Sequence, residues 1–109
     1  MKVGVLIELF KDTDIDARFA ELRSMGMESC QLVCWDREIL HDDSVAEAVN
    51  AAVEKHQVHI TAFWCGWEGR RVWDFYEGQL TLGLIPADYR VKRLKMLMEG
   101  SDFAKKIHA

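Results

Sequence analysis

Residues 58–64, Val-His-Ile-Thr-Ala-Phe-Trp, run directly into Cys65-Gly66-Trp67-Glu68-Gly69. The first seven residues have the length and the β-branched and aromatic content of a strand. Their alternation sets Val58, Ile60, Ala62 and Trp64 against His59, Thr61 and Phe63, and leaves both faces mostly coverable. The segment from 65 to 85 has no clear periodicity. A connection that long inside a compact domain is usually functional or disordered. This one is aromatic and glycine-punctuated, which is not the composition of a disordered linker.

The same pattern precedes it twice. Residues 3–9 (VGVLIEL) are nearly all apolar, interrupted by Glu8, and residues 30–35 (CQLVCW) repeat the theme. Each run leads into a helix. Thr13 or Asp14 can cap the first, which carries Ile15, Phe19 and Leu22 on one face and ends near Gly26. Ser44 with Glu47 forms an S-x-x-E capping box ahead of Val45, Ala48, Val49, Ala52 and Val53. Pro86 suits the first turn of the last helix, where Val91, Leu94, Leu97, Met98 and Ile107 spell the predicted inward stripe. Gly100 falls inside that helix and marks either close packing or a brief break.

The order βαβαβα predicts an α/β fold with a parallel sheet. It fits an open doubly wound sheet or part of a closed (β/α)8 barrel. No G-x-G-x-x-G follows the first strand, where the residues are Leu9-Phe10-Lys11-Asp12, and no P-loop is present. Barrels build their sites from strand ends and the loops after them, and Trp35, Trp64, Trp67 and Trp73 all fall there. The reading is therefore a (β/α)8 barrel type, with residues 1–109 supplying its first three βα units. The next strand would begin beyond Ala109.

Half the 109 residues are hydrophobic, enough for one small globular domain. A net charge of −4 argues against a nucleic-acid footprint. Lys92, Arg93, Lys95, Lys105 and Lys106 read as a solvated helix face. Cys30 and Cys34 lie on one strand about 13 Å apart, too far to bridge. With Cys65 they suggest a reducing compartment, with no metal-ligand spacing. The chain shows no leader and no membrane-length apolar run, so the expectation is cytoplasmic, with no membrane partner.

The stretches A-F-W-C-G-W-E-G at 62–69, W-D-F at 73–75, T-L-G-L-I-P at 81–86, Y-R at 89–90, Arg93 and G-S-D-F-A at 100–104 carry a resemblance. Together they are similar to the third βα unit of the sugar phosphate isomerases/epimerases, the xylose isomerase-like barrels. The resemblance implies aldose–ketose isomerisation or epimerisation through an enediolate. It also implies two carboxylates as acid and base, and Mn²⁺ or Mg²⁺ on the substrate oxygens. The family's metal ligands come from later strands, so no catalytic or metal-binding residue is expected in this chain.

The substrate-binding candidates are Glu8, Trp35, Trp64, Gly66, Trp67 and Trp73. Indole faces can wall a sugar, and glycine can let a ligand approach the backbone. Trp73 and Phe75 could close as a lid or simply pack the loop down. Glu8 could hold a hydroxyl, or pair with Arg70 or Arg71. Arg90 and Arg93 suit helix-surface ion pairs. Two other functions fit the chain. One is a non-catalytic carbohydrate-binding or oligomerising module, in which open sheet edges pair copies of the chain. The other, more distant, is an abasic-site endonuclease of the same fold.

Overall fold

The computed structural model describes residues 3–109. Met1 and Lys2, on which the expectation of no leader rests, lie outside the described residues. The elements are β1 (Val5–Glu8), α1 (Ile15–Ser24), β2 (Ser29–Cys34), a 3-10 turn (Ile39–His41), α2 (Asp43–His56), β3 (His59–Cys65), α3 (Gly78–Thr81) and α4 (Ala87–Lys106). The strands form one parallel sheet in the order β1-β2-β3. Strands that pair in chain order, with the helices on one face, are what successive right-handed βαβ units produce.

One core joins the sheet to the helices. Ile7, Leu9, Cys30, Leu32, Cys34, Ile60 and Cys65 from the strand side meet Phe19 and Leu22 of α1, Val49 of α2, and Met96 and Phe103 of α4. The other sheet face is largely bare: Leu6, Glu8, Gln31, Thr61 and Trp64 are exposed, Ala62 is partly so, and Val33 is buried between them. Neither β1 nor β3 has a second neighbour among the described residues.

A register shift in β3 rewrites the alternation expected there. Cys30 pairs with Ile60, but Gln31 pairs with Ala62, so Thr61 is one residue extra. Its hydroxyl donates to the Cys30 carbonyl at 3.0 Å. Val58 and Ile60 stay in the core, whereas Ala62 and Trp64 cross to the open face beside Gln31 and Val33. Phe63 moves to the helix side and stacks on Phe103, centroids 5.2 Å apart. One inserted residue inverts every side chain after it.

The helix ends differ in detail from expectation. Asp14 caps α1, accepting from the Ala17 amide at 3.0 Å. Asp42, not Ser44, caps α2; its carboxylate accepts from the Ser44 amide and hydroxyl at 3.0 and 2.6 Å. Both are aspartates in extended backbone just before the helix, where a short acceptor reaches the free N–H groups. Asp16 ties α1 to α2 through Lys55 and His56, each at 2.8 Å.

The largest departure is in α4, which runs unbroken through Gly100. The residues buried along it are Arg93, Met96, Gly100 and Phe103, with Ile107 just beyond. Of the predicted inward stripe, only Ile107 is buried. Val91, Leu94 and Met98 are 80%, 50% and 63% exposed, and Leu97 faces a cleft. A Cβ on Gly100 would lie 2.6 Å from both Cβ and Sγ of Cys65. The glycine lets α4 close onto β3, and that contact fixes which face turns inward.

Candidate functional site

The C-terminal ends of β2 and β3 bring the four tryptophans into one ring of contacts. Trp35, just after β2, lies 5.8 Å from Trp64 and 5.4 Å from Trp67. Trp73 closes the ring, 6.4 Å from Trp64 and 6.0 Å from Trp67. Tilted and edge-on geometries dominate, as ring quadrupoles prefer. The Arg71 guanidinium sits 4.3 Å from the Trp35 ring centroid, a cation on an aromatic face. These are all the tryptophans of the chain.

Gly66 makes the ring possible. A Cβ there would fall 2.2 Å from the Trp35 ring, so the space above it is already filled by indole. The Gly66 amide continues the sheet by donating to the Cys34 carbonyl at 2.7 Å. Trp67 is partly buried, and its indole Nε1–H has no hydrogen-bond partner among the described residues. Trp73, 62% exposed, presents its ring at the rim, and Phe75 stands wholly in solvent. Of the expected lid, the first ring packs on Trp64 and Trp67 and the second is fully exposed.

Glu8 stands on the open sheet face in the row Glu8–Val33–Trp64. Two strand spacings, about 10 Å, separate it from Trp64. Its suggested partners are engaged elsewhere: Arg70 pairs with Glu77, and Arg71 lies on Trp35.

The 65–85 segment is held from α4. Arg93, completely buried, donates to the carbonyls of Glu68 (3.0 Å), Arg70 (2.9 Å), Thr81 (2.7 Å) and Gly83 (2.7 Å). Its guanidinium also lies against Tyr89 and Trp67, 4.8 and 5.6 Å from their centroids. Arg90 donates to the carbonyls of Leu84 and Ile85, both at 2.8 Å. These two arginines therefore bind loop backbone rather than surface carboxylates, and Arg93 does not belong to the solvated basic face. Within the segment, Asp74 accepts from the amides of Tyr76 and Glu77 at 2.9 and 2.6 Å and closes the turn that leads into α3. Those amides hold its carboxyl below the ordinary carboxylate range. The Thr81 hydroxyl accepts from the Val72 amide at 3.0 Å.

A second clamp holds the loop after β2. Arg37 grips Glu99 of α4 in a bidentate pair, both contacts 2.6 Å, and reaches Glu68 at 3.4 Å. His41 lies 3.4 Å from the same Glu99. The Arg37 guanidinium holds the Glu99 carboxyl down at about 2. Neither Arg37 nor Glu99 stands out in the sequence, because the pair is 62 residues apart and belongs to no local motif.

A cleft of about 440 Å³ opens beside the ring, between the free edge of β3 and α4. Phe63, Trp64 and Trp67 line one side, and Leu97, Ser101 and Ala104 the other. Trp35 and Trp73 are not part of it, so ring and cleft share only two indoles. The three cysteines are buried and unbridged, and burial pushes each thiol up to about 11. They are protonated, inert packing groups. Among the described residues no three His, Cys, Asp or Glu side chains gather to hold a metal ion. Among the same residues, no helix is long and apolar enough to cross a membrane. Comparison of the chain with protein-family models, with curated proteins and with solved structures gives no match.

Proposed function

We propose that the chain forms the first three βα units of a (β/α)8 barrel of the sugar phosphate isomerase/epimerase type. In this reading its tryptophan collar walls the site for a sugar or sugar phosphate. The observation that carries the proposal is the position of the collar. Four indoles meet at the C-terminal ends of two adjacent parallel strands, where barrels of this kind build their sites. Arg71 on Trp35 adds a cation that a phosphate or a ring oxygen can use. The bare sheet face and the free edges of β1 and β3 are surfaces that further βα units would bury.

The resemblance implies Mn²⁺ or Mg²⁺, and among the described residues no three His, Cys, Asp or Glu side chains gather. In this reading, as the resemblance implies, the metal ligands and the acid–base carboxylates come from strands other than these three. The work of this chain is to position the sugar and keep water from one side of it. The collar draws on no other unit, which also suits a carbohydrate-binding module without catalysis. Sugar binding with no metal-dependent turnover in the longest natural form of the protein would favour that reading.

Because every tryptophan lies in the collar, selectively excited tryptophan fluorescence reports on the site. Titration with aldose and ketose phosphates is expected to give a saturable change. Trp73→Ala is expected to weaken it about tenfold, the loss of one stacking face. Unchanged fluorescence up to about 10 mM ligand in a chain with native circular dichroism would refute the proposal.

A further inference from the structure

The outward side of α4 carries a seam that the core does not use. At about 100° per residue, Ala87, Val91, Leu94 and Met98 fall on a line roughly opposite Gly100 and Phe103. All four are exposed. Their spacing of four, three and four residues is that of a helix–helix packing seam. Closing the β3 edge with another unit would cover the flank bearing Leu97 and Ser101, which line the cleft there. It would leave this line in solvent.

The charges beside the seam point to its partner. Asp88 and Lys95 flank it on one side, seven residues apart, and both are exposed. Lay a second copy of α4 antiparallel, with the twofold axis between Val91 and Leu94. Val91 of each copy then meets Leu94 of the other, and Ala87 meets Met98. In the same register Asp88 of each helix lies beside Lys95 of the other, twice per dimer by symmetry. One alignment thus satisfies both the apolar and the charged residues.

We infer that α4 is a homodimerisation surface: a second copy of this chain packs antiparallel on Ala87, Val91, Leu94 and Met98, with Asp88–Lys95 pairs on the flank. The contact is one helix pair, at the small end of specific interfaces, so the dimer should be weak and reversible. It differs from pairing through the open sheet edges and does not depend on sugar binding.

The test is sedimentation of the full 109-residue chain over a concentration series, alongside charge-reversal variants at exposed positions that leave the core untouched. The wild type is expected to show a monomer–dimer equilibrium. Asp88→Lys and Lys95→Asp alone should each weaken it about tenfold, by turning two attractions into repulsions. The double variant Asp88→Lys/Lys95→Asp should return to within about threefold of wild type. A folded chain that stays monomeric up to about 1 mM would overturn the inference. So would a dimer that the single reversals leave unchanged or that the double variant does not restore.

Discussion

Two loops at the same end of the sheet are fastened to the same helix by arginines, and the fastenings differ in kind. The loop after β2 carries its own arginine: Arg37 reaches out to the Glu99 carboxylate of α4. The loop after β3 is held from the other side, by Arg93 of α4 reaching into four loop carbonyls. A carboxylate can be titrated away, but a backbone carbonyl cannot. The first clamp should therefore fail in acid and the second only when α4 is altered. The collar depends on both, since Trp35 follows one strand and Trp67 and Trp73 belong to the other loop.

The largest effect should come from breaking the second clamp. Arg93→Ala leaves four carbonyls and a buried gap behind, and is expected to cost about 3–5 kcal/mol in urea unfolding. Arg93→Lys should recover little, because an ammonium cannot address four acceptors in a planar fork. If Lys substitutes freely, the caged geometry is not what holds the loop.

Next comes the contact that lets α4 lie down. Gly100→Ala would drive a methyl to 2.6 Å from the Cys65 side chain. Overpacking of that kind costs about 1–3 kcal/mol, against a helix-propensity gain of about 1 kcal/mol. A net loss of stability, measured by thermal melting, is expected. A net gain would mean that α4 and β3 have room for a methyl between them.

The acid response sharpens the contrast further. Glu99 titrates lower when folded, at about 2, than its ordinary value of 4.5. A depressed carboxylate pKa contributes stability above its unfolded value, and that contribution is lost as pH falls through the folded one. Urea midpoints should therefore drop between pH 4.5 and about 2, and Glu99→Gln should flatten that slope. Arg93→Lys, by contrast, should lower the midpoint equally across the range. An unaltered acid slope in Glu99→Gln would remove the distinction between the two clamps.

The parts legible in the sequence are those set by local periodicity. The three strands, the face of α1 and the parallel order follow from apolar runs and spacing, and Asp14 is among the expected caps. Residues governed by distant contacts are not legible. The apolar letters of α4 point to Val91, Leu94 and Met98, yet Arg93 and Gly100 face inward, because four loop carbonyls and the Cys65 side chain select them. The Thr61 insertion is invisible without β2 beside it, so simple alternation puts Ala62 and Trp64 in the wrong company. The tryptophans stand out as a group from their positions at strand ends and in the loops that follow, and the structure brings them together. That Gly66 seats Trp35 can be learned only from the packing.

The most direct measurement concerns the collar itself. The four indole N–H resonances and the backbone amide resonances of isotopically labelled chain can be followed while a ketose phosphate is added. Shifts in the signals of Trp35, Trp64, Trp67 and Trp73, with α1 and the seam of α4 unmoved, are expected if the collar walls a sugar site. Indole signals that stay fixed at saturating sugar phosphate, or shifts confined to another face, would contradict it.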